Sequence, residues 1–183
     1  MRLIILTLIL FSNIIHSQTM NNKLKLNAAD FETNNKAELF EKIVEDIYDR
    51  EIDYNNLDGF IKPIRNLIHV FDMHSQVMNG GLIQFVDNST GDFFEETLIG
   101  LKEINANECV ELLERLRDKY PNKTIPKNWE ERRNAFDKIS ENLTQVEEWE
   151  LDDFFENLDK EYYDYETQFQ LMVIQYVQKY IDE

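Results

Sequence analysis

The stretch Lys36-Ala37-Glu38-Leu39-Phe40-Glu41-Lys42-Ile43-Val44-Glu45-Asp46-Ile47 places Leu39, Phe40, Ile43, Val44 and Ile47 on one side of a 3.6-residue period. Glu38, Glu41, Lys42 and Glu45 fall on the other side, so 36–51 reads as an amphipathic helix. The same period recurs down the chain. After a turn over Tyr54 to Gly59, Pro63 suits the first turn of a helix whose buried face is Ile64, Leu67, Ile68 and Phe71. That helix is expected to run to about Met78 and to end at Asn79-Gly80-Gly81, where glycine accepts a left-handed cap. A β-branched residue at Gly80 is expected to destabilise the fold for that reason. Leu82 to Val86 is a short apolar run that periodicity leaves open between a helical turn and a brief strand.

Helices follow at about 92–104, at 107–119 before Pro121, and at 127–141 with Trp129 and Phe136. Leu151, Phe154, Phe155 and Leu158 repeat the helical spacing, and Phe169, Met172, Val173, Tyr176, Val177 and Tyr180 mark a terminal amphipathic helix. Five Gly and three Pro in 183 residues are too few turn-formers for a many-stranded sandwich or barrel. The expectation is an all-α protein: a single compact multi-helix domain of about six or seven helices.

The chain opens differently. Arg2 is followed by an apolar run from Leu3 to Ile15, and Ile15-His16-Ser17 offers small-residue cleavage geometry before Gln18. This is the pattern of a signal peptide, and the run is short for a membrane span. Residues 1–17 are read as the signal, 18–34 as a flexible polar leader rich in Asn, and 35–183 as one helical domain. The expected location is exported, periplasmic or secreted; translation from Met20 would make the protein cytoplasmic.

The chain carries 36 acidic and 19 basic residues, for a net charge of −17, and loss of Arg2 with the signal makes the mature chain more acidic still. Such a surface repels nucleic acid and anionic lipid, because counterion release rewards only cationic surfaces. Direct nucleic-acid binding is therefore disfavoured, no membrane association is expected after signal cleavage, and a basic protein is the favoured partner.

Residue chemistry adds no catalytic centre. Cys109 is the one cysteine, and with Leu112, Leu113 and Leu116 it sits on a buried helical stripe. His69 and His74, five apart, point to different faces of a helix and make a poor shared metal site. Asp87-Asn88-Ser89-Thr90-Gly91-Asp92 fails as a calcium loop, with Asp92 where glycine is required and Leu98 where the closing Glu belongs. No nucleophile elbow, phosphate loop or zinc spacing is found. No catalytic residue, metal ligand or cofactor is assigned.

Segment 147–166 stands out by charge density. Glu147, Glu148, Glu150, Asp152, Asp153, Glu156 and Asp159 form the candidate acidic binding face, continued by Glu161, Asp164 and Glu166 against a single Lys160. With Leu151, Phe154, Phe155 and Leu158 turned inward, these carboxylates face water. They read either as a solvated face or as a fixed array of negative charge for a surface built to take phosphates.

Val77-Met78-Asn79-Gly80-Gly81-Leu82-Ile83-Gln84-Phe85-Val86-Asp87-Asn88-Ser89-Thr90-Gly91 resembles a motif block of the bacterial DNA-mimic protein family. Thr97 to Ile104, the Leu-rich helix ending at Tyr120-Pro121, and Leu158-Asp159-Lys160-Glu161-Tyr162-Tyr163 are similar to later elements of that family, so the resemblance covers about 70–163. It implies an all-helical fold and, from the member that names the family, an acidic homodimer that occupies the DNA-binding face of a helix-turn-helix regulator. Asn79, Gly80, Gly81, Gln84, Phe85 and Asn88 are the motif matches, read as fold determinants through capping, close packing and buried amide bonds. Gln76 departs from the acidic residue that usually precedes the glycines. The functional expectation is an acidic protein-binding domain for a basic surface. An exported inhibitor or immunity-type protein against a basic toxin or nuclease, and a plain helical scaffold, are the alternatives; an enzyme ranks last.

Overall fold

The stripe at Leu39, Phe40, Ile43 and Ile47 becomes the buried side of α1, Lys36–Tyr48, whose first turn is capped by Asn35 accepting from the Glu38 N–H. The computed structural model describes residues 23–181. The expected signal peptide and its cleavage site lie outside them. Five further α-helices follow: α2 Lys62–Asp87, α3 Phe94–Glu103, α4 Asn107–Arg117, α5 Trp129–Ser140 and α6 Gln145–Ile181. Single 3-10 turns occupy Ala28–Glu32, Leu57–Gly59, Ser89–Phe93 and Pro121–Lys123. The described residues contain no strand, so the fold is all-α.

The central element is α2. Leu67, Ile68, Val70, Phe71 and Met73 are all buried, together with the polar Asn66, His69 and Asp72, so this stretch is covered on every side, as in a helix enclosed by others. α3 packs along it on one side and α6 on another, α1 fills the angle between α2 and α6, and α4 bridges α3 to α6. Cys109 lies in this core, and burial pushes its thiol up to about 12, which leaves it inert as a nucleophile.

Three features differ from expectation. First, Asn79-Gly80-Gly81 does not end the helix but breaks it, and a new helical run begins at once with Leu82 to Val86. Gly80 is extended (φ −169°), a conformation open to any residue, whereas Gly81 holds φ +83° and ψ 177°, a region essentially confined to glycine. The conformational requirement therefore sits at Gly81. Second, the stripes at Leu151 and Phe169 belong to one 37-residue helix, α6.

Third, the described part of the leader is packed. Asn27 caps the Ala28–Glu32 turn, Phe31 is buried, and Leu24 and Leu26 lean on the core. The Lys25 N–H donates to Asp46 at 2.9 Å, and Asp46 also holds Arg50 in a buried ion pair at 3.1 Å. An apolar contact every few residues and a buried carboxylate anchor are what the Asn-rich composition concealed.

The histidines are core residues. His74 stacks on Phe169 with centroids 5.0 Å apart, and its Nδ1 shares a 2.7 Å hydrogen bond with the Tyr162 hydroxyl. Burial pushes its pKa down to about 4. A folded value below the ordinary one stabilises the fold above about pH 6.5, and that stability is lost as pH falls through about 4, up to about 3 kcal/mol. The buried Asp72 and the half-buried Asp159 are shifted upward by desolvation and act with the opposite sign. We therefore expect the stability difference between wild type and the pair His74→Phe, Tyr162→Phe to shrink steadily from pH 6.5 to 4 in chemical denaturation. A difference independent of pH contradicts the assignment.

Candidate functional site

Thr144 starts α6 with a reciprocal cap: its N–H donates to Glu147 at 2.8 Å, and the Glu147 N–H returns to the Thr144 hydroxyl at 3.4 Å. The Thr144 N–H and the Thr144 hydroxyl, which donates to the same carboxylate at 2.7 Å, hold the Glu147 carboxyl below its usual value. The fully buried residues of α6 begin only at Leu158. Before that, Leu151, Phe154 and Phe155 are half-buried, against an expectation of inward-facing residues. The two phenylalanines rest on a small aromatic cluster, with Phe155 at 6.0 Å from Phe136, Phe136 at 6.3 Å from Tyr120, and Lys119 4.2 Å over Phe154. A rigid helix end thus stands on a modest apolar footing and shows most of its circumference to water.

On that end Glu148, Asp152 and Glu156 fall at i, i+4 and i+8, one row about 6 Å apart along the axis. Asp153 flanks the row and Glu150 lies on another side of the helix, and all five are exposed with no ion pair to a described residue. Val146 and Trp149, 58% and 59% exposed, lie on the same outer side. Residues 147–156 therefore carry about one carboxylate per 2.5 Å of axis, near the roughly 1.7 Å per charge of duplex DNA.

The rest of the expected face is otherwise engaged. Glu161 takes Arg115 through two bonds of 2.5 and 3.0 Å, and Asp164 takes Lys160 at 2.5 Å. Asp159 is a correction: it is half-buried and accepts the Leu82 N–H at 2.7 Å. It caps the helical run that restarts after Gly81, and Tyr163 donates to the Val77 carbonyl at 3.1 Å on the other side of the break. One N–H and one carbonyl at the interruption are thus satisfied from α6.

The motif residues meet around this break. Gln84 and Asn88 donate to one oxygen of Gln76, at 3.0 and 2.5 Å. An acceptor is what that position requires, and the glutamine carbonyl supplies it in place of a carboxylate. The amides are not buried as expected: Gln84 is half-buried, while Asn79 and Asn88 are exposed. Phe85 is fully buried and stacks with Phe94 at 6.0 Å. The two motif blocks, 77 positions apart at Leu82 and Asp159, are halves of one clamp.

A second clamp was invisible in the sequence. Arg132 of α5 is 1% exposed and spends all five N–H groups: on the carbonyls of Val86, Asn88, Pro126 and Lys127 and on Asp92, at 2.5 to 2.9 Å. Trp129 adds a bond to the Asp87 carbonyl at 2.8 Å. The last carbonyls of α2, which have no intrahelical partner, are therefore taken by α5. Gly91 makes room, since a Cβ there would meet the Val86 carbonyl and Arg132. Among the described residues no group of His, Cys, Asp and Glu is arranged to hold a metal, and no helix is long and apolar enough to cross a membrane.

The family model of DMP19-like proteins matches residues 58–180, which contain both clamps and the whole acidic end of α6. The chain belongs to the DMP19-like protein family. The family takes its name from DNA mimic protein 19. α1 and the packed leader lie outside the matched residues. Comparison with curated proteins and with solved structures gives no match.

Proposed function

We propose that this DMP19-like protein is a binding protein that occupies the nucleic-acid-binding face of a basic partner, using the acidic end of α6. The observation that carries the reading is the open row Glu148, Asp152 and Glu156 with Asp153 beside it, fixed on a helix and free of cations of its own. A surface built for phosphates meets a comparable density of charge there, and the chain's net charge of −17 steers the encounter. Exposed Trp149 and Val146 supply the apolar contact that turns attraction into a held complex. The role is stoichiometric binding and involves no catalytic step.

The test uses DNA-cellulose loaded with envelope and cytosolic proteins of the native organism. The wild-type protein is expected to elute a discrete basic protein. The fourfold variant Glu148→Gln, Asp152→Asn, Asp153→Asn, Glu156→Gln is expected to leave it on the column. Equal elution by both places the binding face elsewhere.

Arg2 and the apolar run to Ile15 support export, so the partner of the exported form is a basic periplasmic or extracellular protein, such as a toxin or nuclease neutralised by occupation of its DNA site. The mature native protein is expected to begin at Gln18 by mass spectrometry. A mature terminus at Met1 or Met20 contradicts export and favours a cytosolic DNA-binding partner.

A further inference from the structure

A cleft of about 480 Å³ opens beside the start of α2, between the Leu57–Gly59 turn and the turn that leads into α3. It shares no residue with the acidic end of α6. At its base lies His69, 6% exposed, whose Nδ1 is buried and meets no hydrogen-bonding group of the described residues. Most buried polar groups in this protein are satisfied, so this nitrogen is an exception, and an unmatched buried polar atom is costly.

The walls are aromatic and the rim is basic. Phe93 lies 5.0 Å from the His69 ring, and Tyr54 lies 5.9 Å from Phe93. Lys62, Arg65 and Lys127 line the opening. The first turn of α2 also borders it, with neither a side-chain cap nor an acidic residue of its own, so helix-start partial charge adds to the cationic side chains there. Two carboxylates, Asp58 and Glu96, line it as well, so the lining is close to charge-balanced in a chain of net charge −17.

The three cations are held meanwhile by carboxylates of the chain: Arg65 by Asp58 at 2.5 Å, Lys62 by Glu103 at 2.5 Å, and Lys127 by Glu96 at 3.1 Å. Asp58 is 91% exposed, so it gives up Arg65 to a better-held carboxylate at little cost.

We propose that this cleft binds a small aromatic carboxylate. The ring lies against Phe93 and Tyr54, Arg65 takes the carboxylate in place of Asp58, and His69 Nδ1 gains a polar partner. The volume is within the ordinary range for small-ligand sites, which join apolar walls to a few convergent polar groups.

Benzoate is the probe, acetate its ringless control, and the readout is the histidine ring nitrogens of the full chain by 15N spectroscopy. Benzoate should move the His69 signal saturably while His74 stays in place as a marker of the intact fold. Acetate should bind at least about fivefold more weakly for want of ring contact. Arg65→Gln should weaken benzoate about tenfold or more, and Asp58→Asn, which removes the competing carboxylate, should tighten it. An unmoved His69 signal, equal binding of acetate and benzoate, or an unchanged affinity in Arg65→Gln overturns the proposal.

Discussion

Arg132→Met is expected to lower the unfolding free energy by about 3–5 kcal/mol, the range for removing one partner of a buried charged network. At this chain length that is a fall in Tm of roughly 6–20 °C. Methionine fills the volume, but four carbonyl acceptors and Asp92 then lose their donors in a site that is 1% exposed at Arg132. Replacing a whole ion pair by apolar residues can be neutral; here most of the acceptors are backbone and cannot be replaced. Arg132→Lys should recover little, because an ammonium has three donors and no planar fork. Arg133→Met is the control: Arg133 is exposed, with its guanidinium 5.4 Å over Trp129, and should change stability by less than about 0.5 kcal/mol. Thermal and urea denaturation of the three variants decides. A Tm within two or three degrees of wild type, roughly 1 kcal/mol, in Arg132→Met would mean the clamp carries no weight.

Gly81→Ala is expected to cost about 2–4 kcal/mol, and Gly80→Ala much less. At Gly81 two penalties add. The backbone holds φ +83° and ψ 177°, where an L side chain costs about 1–3 kcal/mol. A Cβ would also meet the Asp159 carboxylate and displace it from the Leu82 N–H, leaving a helix start without its cap. At Gly80 the extended backbone suits any residue, and the atoms in the way belong to the flexible end of Gln84. The expected signature is a Tm fall of several degrees for Gly81→Ala against a small one for Gly80→Ala. The reverse order would contradict the break as described.

The helices themselves were legible because their stripes are local: Leu39 to Ile47, Ile64 to Phe71 and Cys109 to Leu116 each fix a buried face within a few turns. The clamps were not. Asp159 stands inside an acidic run and Arg132 inside Glu130-Glu131-Arg132-Arg133, so both look like solvated charge. Their roles are set by backbone groups tens of residues away, and no periodicity reports an orphaned N–H or carbonyl. The signal available was the recurrence of two motif blocks, one with the glycines and one with Leu158-Asp159, in the same family. The packed leader escaped for a related reason: Asp46 and Arg50 lie on the polar side of their helix by pattern, yet the Lys23–Lys25 segment covers them. The acidic end of α6 was legible in composition. Which carboxylates remain open depended on Arg115, Lys160 and the Gly81 break.

The central claim is that the open carboxylates of α6 stand in for phosphates. The most direct measurement is titration of the basic protein recovered from DNA-cellulose against wild type and the fourfold variant at Glu148, Asp152, Asp153 and Glu156, each at low and at physiological salt. Asp159 is left intact because it supports the fold. Exposed charges are screened over about 8 Å at physiological ionic strength, so wild-type affinity should fall steeply with salt while the variant binds more weakly and with a shallower dependence. Equal affinities in all four conditions would contradict the account.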